Sequence, residues 1–255
     1  MVIRSRDNPL HLRLRRLVRE GTAYRKHGMV WLEGDHLLRA CLARGRAVQE
    51  LVVSEAAAGG DVVRSVMAQV PRCAVLSDAL FKELSALPSP QGLGGLVALA
   101  PDVGPRPGVP SVVLDRLQDS GNVGSILRSA AALGVQQVLA LSGTAGLWSQ
   151  KVLRAAMGAH FALHLCEGLS VGQLEGLGLA YLATDSHAGV ALHEAALPAH
   201  AAFVLGHEGQ GVSAALRALC SGSVCIAQPG GGESLNVAAA AAILLYEWSR
   251  QQISR

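Results

Sequence analysis

The sequence predicts an α/β protein of two domains, the second built on a parallel sheet. The chain has 255 residues, half of them hydrophobic, which is enough for a full globular core. Apolar runs typical of strands alternate with helical patterns along most of its length. Residues 101–110 hold four prolines and two glycines, and proline interrupts both helices and sheets. We therefore predict an N-terminal domain at 1–100, a linker at 101–110 and a C-terminal domain at 111–255.

The N-terminal domain is predicted to be the smaller α/β unit. Its apolar runs predict strands at residues 29–32, 50–53, 74–76 and 95–99. Helical periodicity predicts helices at residues 35–44, 61–69 and 78–84. This alternation indicates a sheet packed against helices.

The C-terminal domain shows a cleaner alternation. Its predicted strands are residues 111–114, 137–141, 161–166, 180–184, 202–205 and 223–227. Its predicted helices are residues 123–133, 149–157, 171–176, 213–219 and 234–251. Strands that are apolar throughout, with helices between them, indicate a parallel sheet that is covered on both faces.

Positive charge is concentrated at the N-terminus. Residues 1–46 carry eleven Lys and Arg against four acidic residues, whereas the formal net charge of the whole chain is only +3. The densest cluster lies between Arg13 and Lys26. Closely spaced cations attract phosphates and release counterions. The asymmetry therefore favours a polyanion such as nucleic acid as the partner.

Composition argues against several classes of protein. A charged fraction of 16% and a small net charge are not typical of a disordered chain. The apolar stretches are too short to cross a bilayer, and the basic start, MVIRSRDNPLHLRLRRL, lacks the apolar core of a signal peptide, so we expect no membrane association. The five cysteines form no CxxC pair. Free thiols in a reducing cytoplasm therefore fit better than a disulfide framework or a zinc site.

Several common catalytic motifs are missing from the sequence. It contains no GxxxxGK[ST] phosphate-binding loop and no GxSxG motif of hydrolases. No GxGxxG follows the first strand of either domain, which argues against a nucleotide-dependent dehydrogenase. His207-Glu208 is not followed by a second His at the spacing of a zinc protease, so we expect no metal site.

Three polar, glycine-bearing segments follow strand ends in the C-terminal domain. They are LDRLQDSGNVGSILRSAAALG at 114–134, FVLGHEGQGVS at 203–213 and CIAQPGGGESLNVAAAAAILLYEW at 225–248. Open α/β sheets bind ligands beyond the carboxyl ends of their strands, and glycine lets the backbone approach a ligand closely. Together the three segments predict a ligand site at one edge of the sheet.

These segments, in this order, resemble the signature motifs of the SpoU family of RNA ribose 2′-O-methyltransferases, within the SPOUT superfamily. The stretch DSGNVG at 119–124, followed by Arg128, resembles the first motif. The stretch LGHEG at 205–209 resembles the second, with His207 where the family usually has Asn. The stretch ESLNV at 233–237 closely resembles the third.

The resemblance extends over nearly the whole chain. SQKVLRAAMGA at 149–159 is similar to a family stretch in which members often carry Ser at the position of Met157. SRDNPL, LEGDHLL and PSPQGLGGLVAL in the first hundred residues resemble the smaller RNA-binding domain of many members. The resemblance implies that N-terminal cations bind RNA phosphates, which position an RNA without reading its sequence. These cations are Arg4, Arg6, Arg13, Arg15, Arg16, Arg19, Arg25 and Lys26.

The resemblance also implies a fold, a cofactor and a partner. The end of the parallel sheet would be tied in a deep trefoil knot, an exception to the rule that chains do not thread loops. S-adenosylmethionine would sit in the knot, contacted mainly by backbone of the second and third motifs, and members work as homodimers. The cofactor-binding residues that the resemblance implies are Thr184, Leu205, Gly206, Ile226, Ser234 and Leu235.

The catalytic residues that the resemblance implies are Asn122, Arg128, Glu208, Ser234 and Asn236. Methyl transfer to a ribose hydroxyl needs alignment of the two partners and removal of the hydroxyl proton. A guanidinium is protonated and has no lone pair. We therefore expect Arg128 to bind a neighbouring phosphate and stabilise alkoxide charge, and Glu208 to orient Arg128 or the ribose. Asn122 and Ser234 are also expected to cap their helices.

Three alternatives remain open from the sequence. A SPOUT enzyme that methylates a base would share the knot and the cofactor, although the spacing of Asn122 and Arg128 favours ribose. The RNA could be transfer RNA, although the added N-terminal domain resembles those of ribosomal-RNA members. A non-catalytic RNA-binding protein could keep the fold, but it would not need the polar positions of all three motifs.

Overall fold

The chain forms two compact units. The first consists of Met1–Pro101 and Trp148–Phe161, and the second of Asp102–Leu147 and Ala162–Arg255. This division differs from the domain boundaries that we predicted, because Leu153 and Phe161 belong to the hydrophobic core of the first unit. The computed structural model describes residues 1–85, 87, 89–101, 103–186, 188–231 and 233–253.

The first hundred residues form one five-stranded sheet with helices. Its strands lie in the order β1-β4-β3-β5-β2, and β5 runs antiparallel to both of its neighbours. The elements are β1 (Val2–Ile3), α1 (Pro9–Arg19), α2 (Ala23–His27), β2 (Met29–Glu33), α3 (Asp35–Ala43), β3 (Val48–Ser54), α4 (Asp61–Met67), β4 (Cys73–Leu76), α5 (Asp78–Leu84) and β5 (Leu93–Ala98).

Helix α1 separates the cations of the N-terminus from the core. The Asn8 side chain accepts a hydrogen bond from the backbone N–H of Leu10 at 2.9 Å, and proline occupies the first helical position. Both features favour the start of a helix. Leu14 and Leu17 are buried, whereas Arg16 and Arg19 are exposed. The helix therefore packs one apolar face inward and turns cations toward the solvent.

The rest of the chain forms a seven-stranded sheet and its helices. The strand order is β10-β12-β9-β11-β6-β7-β8, and every neighbouring pair is parallel. The prediction of a parallel α/β sheet is therefore confirmed. The elements are β6 (Ser111–Leu114), α6 (Ser120–Ala132), β7 (Gln137–Leu141), α7 (Gln150–Ala156, in the first unit), β8 (His164–Leu169), β9 (Ala180–Asp185), β10 (Val190–Ala191), β11 (Ala201–Leu205), α8 (Ala214–Leu219), β12 (Gly222–Cys225) and α9 (Val237–Ile253).

The central strands of this sheet carry its core. Every residue of β6, β7 and β11 is buried, as expected of strands covered on both faces. The carboxyl ends of β6 and β11, and of β12 two strands further along the sheet, lie at one edge, and each leads into one of the three glycine-bearing segments. Among the described residues, no helix combines the length and the apolar character needed to cross a membrane.

Four predicted elements were wrong in type or boundary. The strand predicted at 161–166 begins later, at His164, because Ala159–Ala162 forms a 3-10 helix. The helix predicted at 171–176 is a 3-10 helix over Val171–Leu174. Helix α6 begins three residues earlier than predicted and α9 three residues later. In both α-helices a side chain that accepts hydrogen bonds from the first turn sets the start.

Candidate active site

A cavity of about 490 Å³ lies at the carboxyl edge of the seven-stranded sheet. Its volume is in the range of sites for small molecules and cofactors. The wall combines the ends of β9, β11 and β12 with the start of α9. The lining residues are Thr184, Asp185, Ser186, Gly206, His207, Glu208, Gly209, Gly211, Val224, Ile226, Gln228, Ser234, Leu235, Asn236, Val237, Ala240 and Leu244.

The loop 206–211 after β11, here called the glycine loop, closes on itself. The backbone N–H of His207 donates to Gly211 O at 3.1 Å, and the N–H of Gly211 donates back to His207 O at 2.8 Å. A Cβ at Gly206 would lie 2.2 Å from the carbonyl carbon of Gly211. Only glycine therefore fits the first position of this turn.

His207 occupies the position at which the family usually has Asn. Its Nδ1 accepts a hydrogen bond from the backbone N–H of Gly209 at 3.0 Å. Nδ1 must be unprotonated to accept this hydrogen bond. The imidazole thus stabilises the glycine loop from within, in addition to the backbone bonds.

One chain of hydrogen bonds joins the three motif-like segments. Asn122 Nδ2 donates to Glu208 Oε1 at 3.2 Å. Asn122 Oδ1 accepts from Asn236 Nδ2 at 3.0 Å. Glu208, Asn122 and Asn236 come from the second, first and third segments respectively. The structure therefore brings these three predicted catalytic residues into one network.

Helices α6 and α9 are capped by residues other than those we predicted. Asp119 Oδ1 accepts from the backbone N–H of Asn122 at 2.7 Å, so Asp119 is the cap of α6 and Asn122 lies inside the first turn. Asn236 Oδ1 accepts from the N–H groups of Ala238 and Ala239, at 2.9 and 3.3 Å. Asn236 therefore takes the capping position that we assigned to Ser234, because it is the polar side chain directly before Val237.

Glu208 bonds to the start of α6. Its carboxylate accepts from the backbone N–H groups of Gln118 and Asp119, each at 3.3 Å, besides Asn122. Burial by itself raises the pKa of Glu208, but the hydrogen bonds from backbone N–H groups and from Asn122 lower it by more, so that the pKa lies below its usual value. The carboxylate is therefore ionised at neutral pH.

Arg128 lies apart from Glu208. It is exposed on α6, and it does not line the cavity in the part of the chain that the structure describes. The expectation that Glu208 orients Arg128 is not met, because the carboxylate oxygens bond to amides of the first segment. Arg128 is thus available to a ligand that approaches from the solvent.

The predicted cofactor residues divide into two groups. Thr184, Gly206, Ile226, Ser234 and Leu235 line the cavity. Leu205 does not line it in the described part of the chain, because it is buried in β11 with 1% of its surface exposed. The Thr184 hydroxyl donates to Val204 O at 2.8 Å. That side chain therefore joins β9 to β11.

The sequence did not reveal two residues that follow β6. Asp115 is 1% exposed, and its Oδ2 accepts from the backbone N–H of Ser213 at 2.6 Å. Arg116 has a positive φ of 60°, and its Nε donates to Asp115 Oδ1 at 2.9 Å. Neither burial nor backbone conformation has a marker in this stretch, so no sequence signal separated them from other polar residues.

The N-terminal cations differ in their contacts. Arg4 pairs with Glu55 at 2.7 Å, Arg6 pairs with Glu83, and Arg13 pairs with Glu50 at 3.3 Å. Within the described ranges no ion pair involves Arg16, Arg19 or Lys26, and all three are exposed. The Arg25 guanidinium lies 5.6 Å from the centre of the Tyr24 ring, and the charge of Arg15 contributes to the low pKa of Glu83.

No group of His, Cys, Asp and Glu side chains in the described residues is arranged to hold a metal ion. The candidate site thus consists of a glycine-walled cavity and an adjoining network of amides and one carboxylate. Such a site, at the carboxyl edge of a parallel sheet, defines an α/β enzyme that binds a small molecule beside a second substrate.

The chain belongs to the SpoU rRNA Methylase family, which residues 110–246 match, and it is a methyltransferase. It is similar to an uncharacterized tRNA/rRNA methyltransferase of Synechocystis, with 33% identity over 98% of this chain and 94% of the relative. It is also similar to the 23S rRNA (guanosine(2553)-2′-O)-methyltransferase RlmP of Bacillus subtilis, with 30% identity over 84% of this chain and 86% of that protein. The resemblance found in the sequence is therefore confirmed.

Solved structures support the same family over both units. The SpoU methyltransferase AviRb from Streptomyces viridochromogenes, in complex with AdoMet, has a TM-score of 0.88 and 25% identity, covering 97% of this chain and 99% of AviRb. An RNA 2′-O ribose methyltransferase has a TM-score of 0.81 and 30% identity, covering 99% of this chain and all of the other.

Proposed function

We propose that this protein transfers a methyl group from S-adenosylmethionine to a ribose 2′-hydroxyl of ribosomal RNA. The observation that carries the proposal is the hydrogen-bond network of Glu208, Asn122 and Asn236, which joins all three family motifs beside the cavity. The relatives named as ribosomal-RNA 2′-O-methyltransferases support ribose as the acceptor and ribosomal RNA as the substrate.

The residues of the cavity fit this cofactor. Gly206, Gly209 and Gly211 leave a stretch of wall without side chains, where backbone amides and carbonyls can bond to an adenosyl group. Ile226 and Leu235 supply apolar surface for the adenine ring, and AviRb is a family structure that contains AdoMet. When bound, the cofactor supplies a methyl group on a positively charged sulfur. We assign its binding to Thr184, Gly206, Ile226, Ser234 and Leu235.

The network and Arg128 would divide the catalytic work. In the reaction the C–S bond breaks as a bond forms between the methyl carbon and the ribose oxygen, so the two must be held in line. Asn122, Asn236 and Glu208 fix the relative position of the three segments. Arg128 binds the neighbouring phosphate and stabilises negative charge on the ribose oxygen, because a permanently protonated guanidinium cannot remove a proton. The hydroxyl proton leaves to the phosphate or to water.

The decisive test is transfer of a radiolabelled methyl group to ribosomal RNA, followed by analysis of the nucleosides. We expect label in a 2′-O-methylated nucleoside. Label in a base, or label only in transfer RNA, would contradict the proposal. RNA from cells that lack the protein provides the best substrate, since its target position is unmethylated, and mapping that position identifies the nucleotide.

Arg128 is tested by substitution with lysine, which keeps the charge but not the planar fork of donors. We expect Arg128→Lys to lower kcat by at least about tenfold, equivalent to ~1.4 kcal/mol, with S-adenosylmethionine affinity unchanged. A pH–rate profile equal to that of the wild type at all pH values would remove Arg128 from any specific role.

RNA binding would involve the N-terminal cations. Arg16, Arg19 and Lys26 are exposed on α1 and α2, where they can contact phosphates without first leaving a carboxylate partner. Arg4, Arg6 and Arg13 already contact carboxylates, so their contribution is expected to be smaller. Residues 1–100 would accordingly serve as the substrate-binding domain.

Helix α9 supports a homodimer. Ile243, Tyr246 and Ile253 are exposed apolar or aromatic residues of this helix, and their spacing places them on one face. Covering such a face with a second copy removes it from water. Light scattering should give twice the mass of the chain, and Tyr246→Glu should give the monomer. A monomeric wild type would contradict the proposal.

The topology of the second sheet supports a trefoil knot. Strand β12 lies between β9 and β10, yet α9, which follows it, packs against α6 beside the network. The chain must therefore return across the sheet after β12. A crystal structure in which this return passes outside the loops before β11 would contradict the knot.

We also propose that the protein is cytoplasmic. Cys41, Cys73, Cys166, Cys220 and Cys225 are all free thiols, as expected in a reducing compartment. Ribosomal RNA as the substrate agrees with this location. Fractionation of cells that produce the protein tests it, and recovery from an oxidising compartment would contradict it.

A further inference from the structure

Arg116 is held in an unusual backbone conformation at the edge of the cavity. Its φ is 60°, a left-handed conformation that is uncommon for residues other than glycine and costs free energy. Its backbone N–H donates to Thr144 Oγ1 at 3.1 Å, and that hydroxyl donates to Leu114 O at 3.0 Å. The end of β6 therefore fixes Arg116 in this conformation.

The conformation directs the side chain to the glycine loop. Arg116 Nε donates to Asp115 Oδ1 at 2.9 Å, and Nη1 donates to Gln210 Oε1 at 3.1 Å. Gln210 lies between Gly209 and Gly211, which both line the cavity, whereas Gln210 itself is not among the described lining residues. Its side chain thus points to Arg116 while its neighbours form the wall.

We propose that Arg116 is a positioning residue for cofactor binding, acting through Gln210 on the glycine loop. The inference rests on the proposed function. A loop with three glycines has many conformations, and fixing it before binding lowers the entropy lost on binding. Glu208 fixes the loop to the start of α6, and the bond between Arg116 and Gln210 adds an attachment further along.

The pair contributes to binding rather than to folding. The Arg116 side chain is 35% exposed and Gln210 is exposed, so their hydrogen bond adds little to global stability. The buried anchor is Asp115, which also holds the N–H of Ser213 just beyond the loop. The first effect of removing the bond is therefore a more mobile loop with a lower affinity for the cofactor.

The experiment is calorimetry of the full-length protein with S-adenosylmethionine. Gln210→Leu removes the acceptor and leaves the pair of Asp115 and Arg116 intact, whereas Gln210→Glu keeps an acceptor for Arg116. Arg116→Gly removes the side chain at a position where glycine adopts φ 60° without strain. We expect Gln210→Leu and Arg116→Gly each to raise Kd about tenfold, within the range for one hydrogen bond to a charged group.

The remaining expected results separate positioning from other roles. Gln210→Glu should bind like the wild type, and the double variant Arg116→Gly/Gln210→Leu should bind no more weakly than Arg116→Gly, because both remove the same interaction. The melting temperature of Gln210→Leu should equal that of the wild type, and its kcat at saturating cofactor should be unchanged while KM for the cofactor rises.

Wild-type affinity in Gln210→Leu overturns the inference. Equal weakening of Gln210→Leu and Gln210→Glu overturns it as well, because Arg116 would then not be the partner that matters. Loss of RNA affinity in Arg116→Gly, with an unchanged Kd for the cofactor, overturns it in favour of an RNA contact. Absence of binding by the wild type would overturn the proposed function, and this inference with it.

Discussion

Asn236 Nδ2 donates a 3.0 Å hydrogen bond to Asn122 Oδ1 across 114 positions of sequence. The same Asn236 side chain uses its oxygen to cap α9, accepting from the N–H groups of Ala238 and Ala239. One amide therefore starts a helix and fixes the first segment against the third. These two tasks use different atoms, so substitutions can separate them.

Asn236→Asp keeps the capping oxygen and removes the donor to Asn122. We expect the melting temperature to be retained, since Asp caps helices as well as Asn does. Methyl transfer should fall at least about tenfold, which corresponds to ~1.4 kcal/mol less transition-state stabilisation. Melting and single-turnover methylation of the same preparation measure the two effects.

Asn236→Ala is the matched control, because it removes both atoms. It should be about 1 kcal/mol less stable without the cap, in addition to the loss of methyl transfer. If Asn236→Asp transferred methyl groups at the wild-type rate, the bond to Asn122 would have no catalytic role.

Gly206→Ala should abolish cofactor binding. The added Cβ would lie 2.2 Å from the carbonyl carbon of Gly211 and 2.3 Å from the nitrogen of Val212, so the glycine loop would have to open. We expect Kd for S-adenosylmethionine to rise by at least about a hundredfold, or ~2.7 kcal/mol. Calorimetry measures the change.

Gly209→Ala controls for the added methyl group in the same loop. Its Cβ would meet only the His207 ring, at 3.9 Å, which is an ordinary contact. We expect cofactor affinity close to that of the wild type. Comparable losses for the two alanine variants would show that the close approach at Gly206 is not what matters.

Glu208 should contribute stability that disappears in acid. Its pKa in the folded protein is lowered, so its interactions are fully present above the ordinary pKa of Glu, about 4.3. They disappear as the pH falls through the lower folded value. We expect Glu208→Gln to melt below the wild type between about pH 5 and 7, taken as roughly one unit or more above that ordinary pKa.

The difference in melting temperature between the two proteins should narrow as the pH falls below about 4. A titration of melting temperature from neutral pH into acid checks this. A difference that stayed constant throughout would mean that the charge of Glu208 does not matter to folding.

Removing exposed cations should change the salt dependence of RNA binding. The triple variant Arg16→Ala/Arg19→Ala/Lys26→Ala should weaken binding and lower the slope of log affinity against log salt, by roughly 0.7 to 0.9 for each RNA phosphate that the protein no longer neutralises. Titration with labelled ribosomal RNA at several salt concentrations measures the slope. The cofactor affinity should not change, because none of the three residues lines the cavity in the described part of the chain.

The control variant Arg4→Ala/Arg6→Ala/Arg13→Ala removes the same net charge. Because these residues already contact Glu55, Glu83 and Glu50, we expect a smaller change in slope. Equal slopes for the two triple variants would contradict the division into paired and exposed cations. Substitution is preferable to deletion of the N-terminus, since Leu14 and Leu17 of α1 are buried.

The second sheet could be predicted well from sequence because its strands are unusually uniform. Strands β6 and β7 were predicted to the residue, since each is an apolar run that is buried along its whole length. The strand predicted from residue 161 failed for the same reason, because Phe161 and Leu163 are buried outside any strand. Burial alone does not distinguish a strand from a buried turn.

The members of the site could be predicted, but not their contacts. The motifs identified Asn122, Glu208 and Asn236, and the structure connects them. The expected contact of Glu208 with Arg128 was wrong, because a one-dimensional pattern does not show which donor an acceptor meets. Arg116 escaped notice altogether, since its importance lies in a backbone angle and a partner 94 positions away.

The membership of Trp148–Phe161 in the first unit has a consequence for biosynthesis. Gln150 Nε2 donates to Trp31 O at 2.8 Å, and Leu153 completes the same core. A nascent chain released only as far as Pro101 lacks these contacts, so the first unit cannot finish packing until translation has passed Phe161. Its two parts therefore mature together with the catalytic half, and a fragment cut at the proline-rich connector would expose a hydrophobic surface.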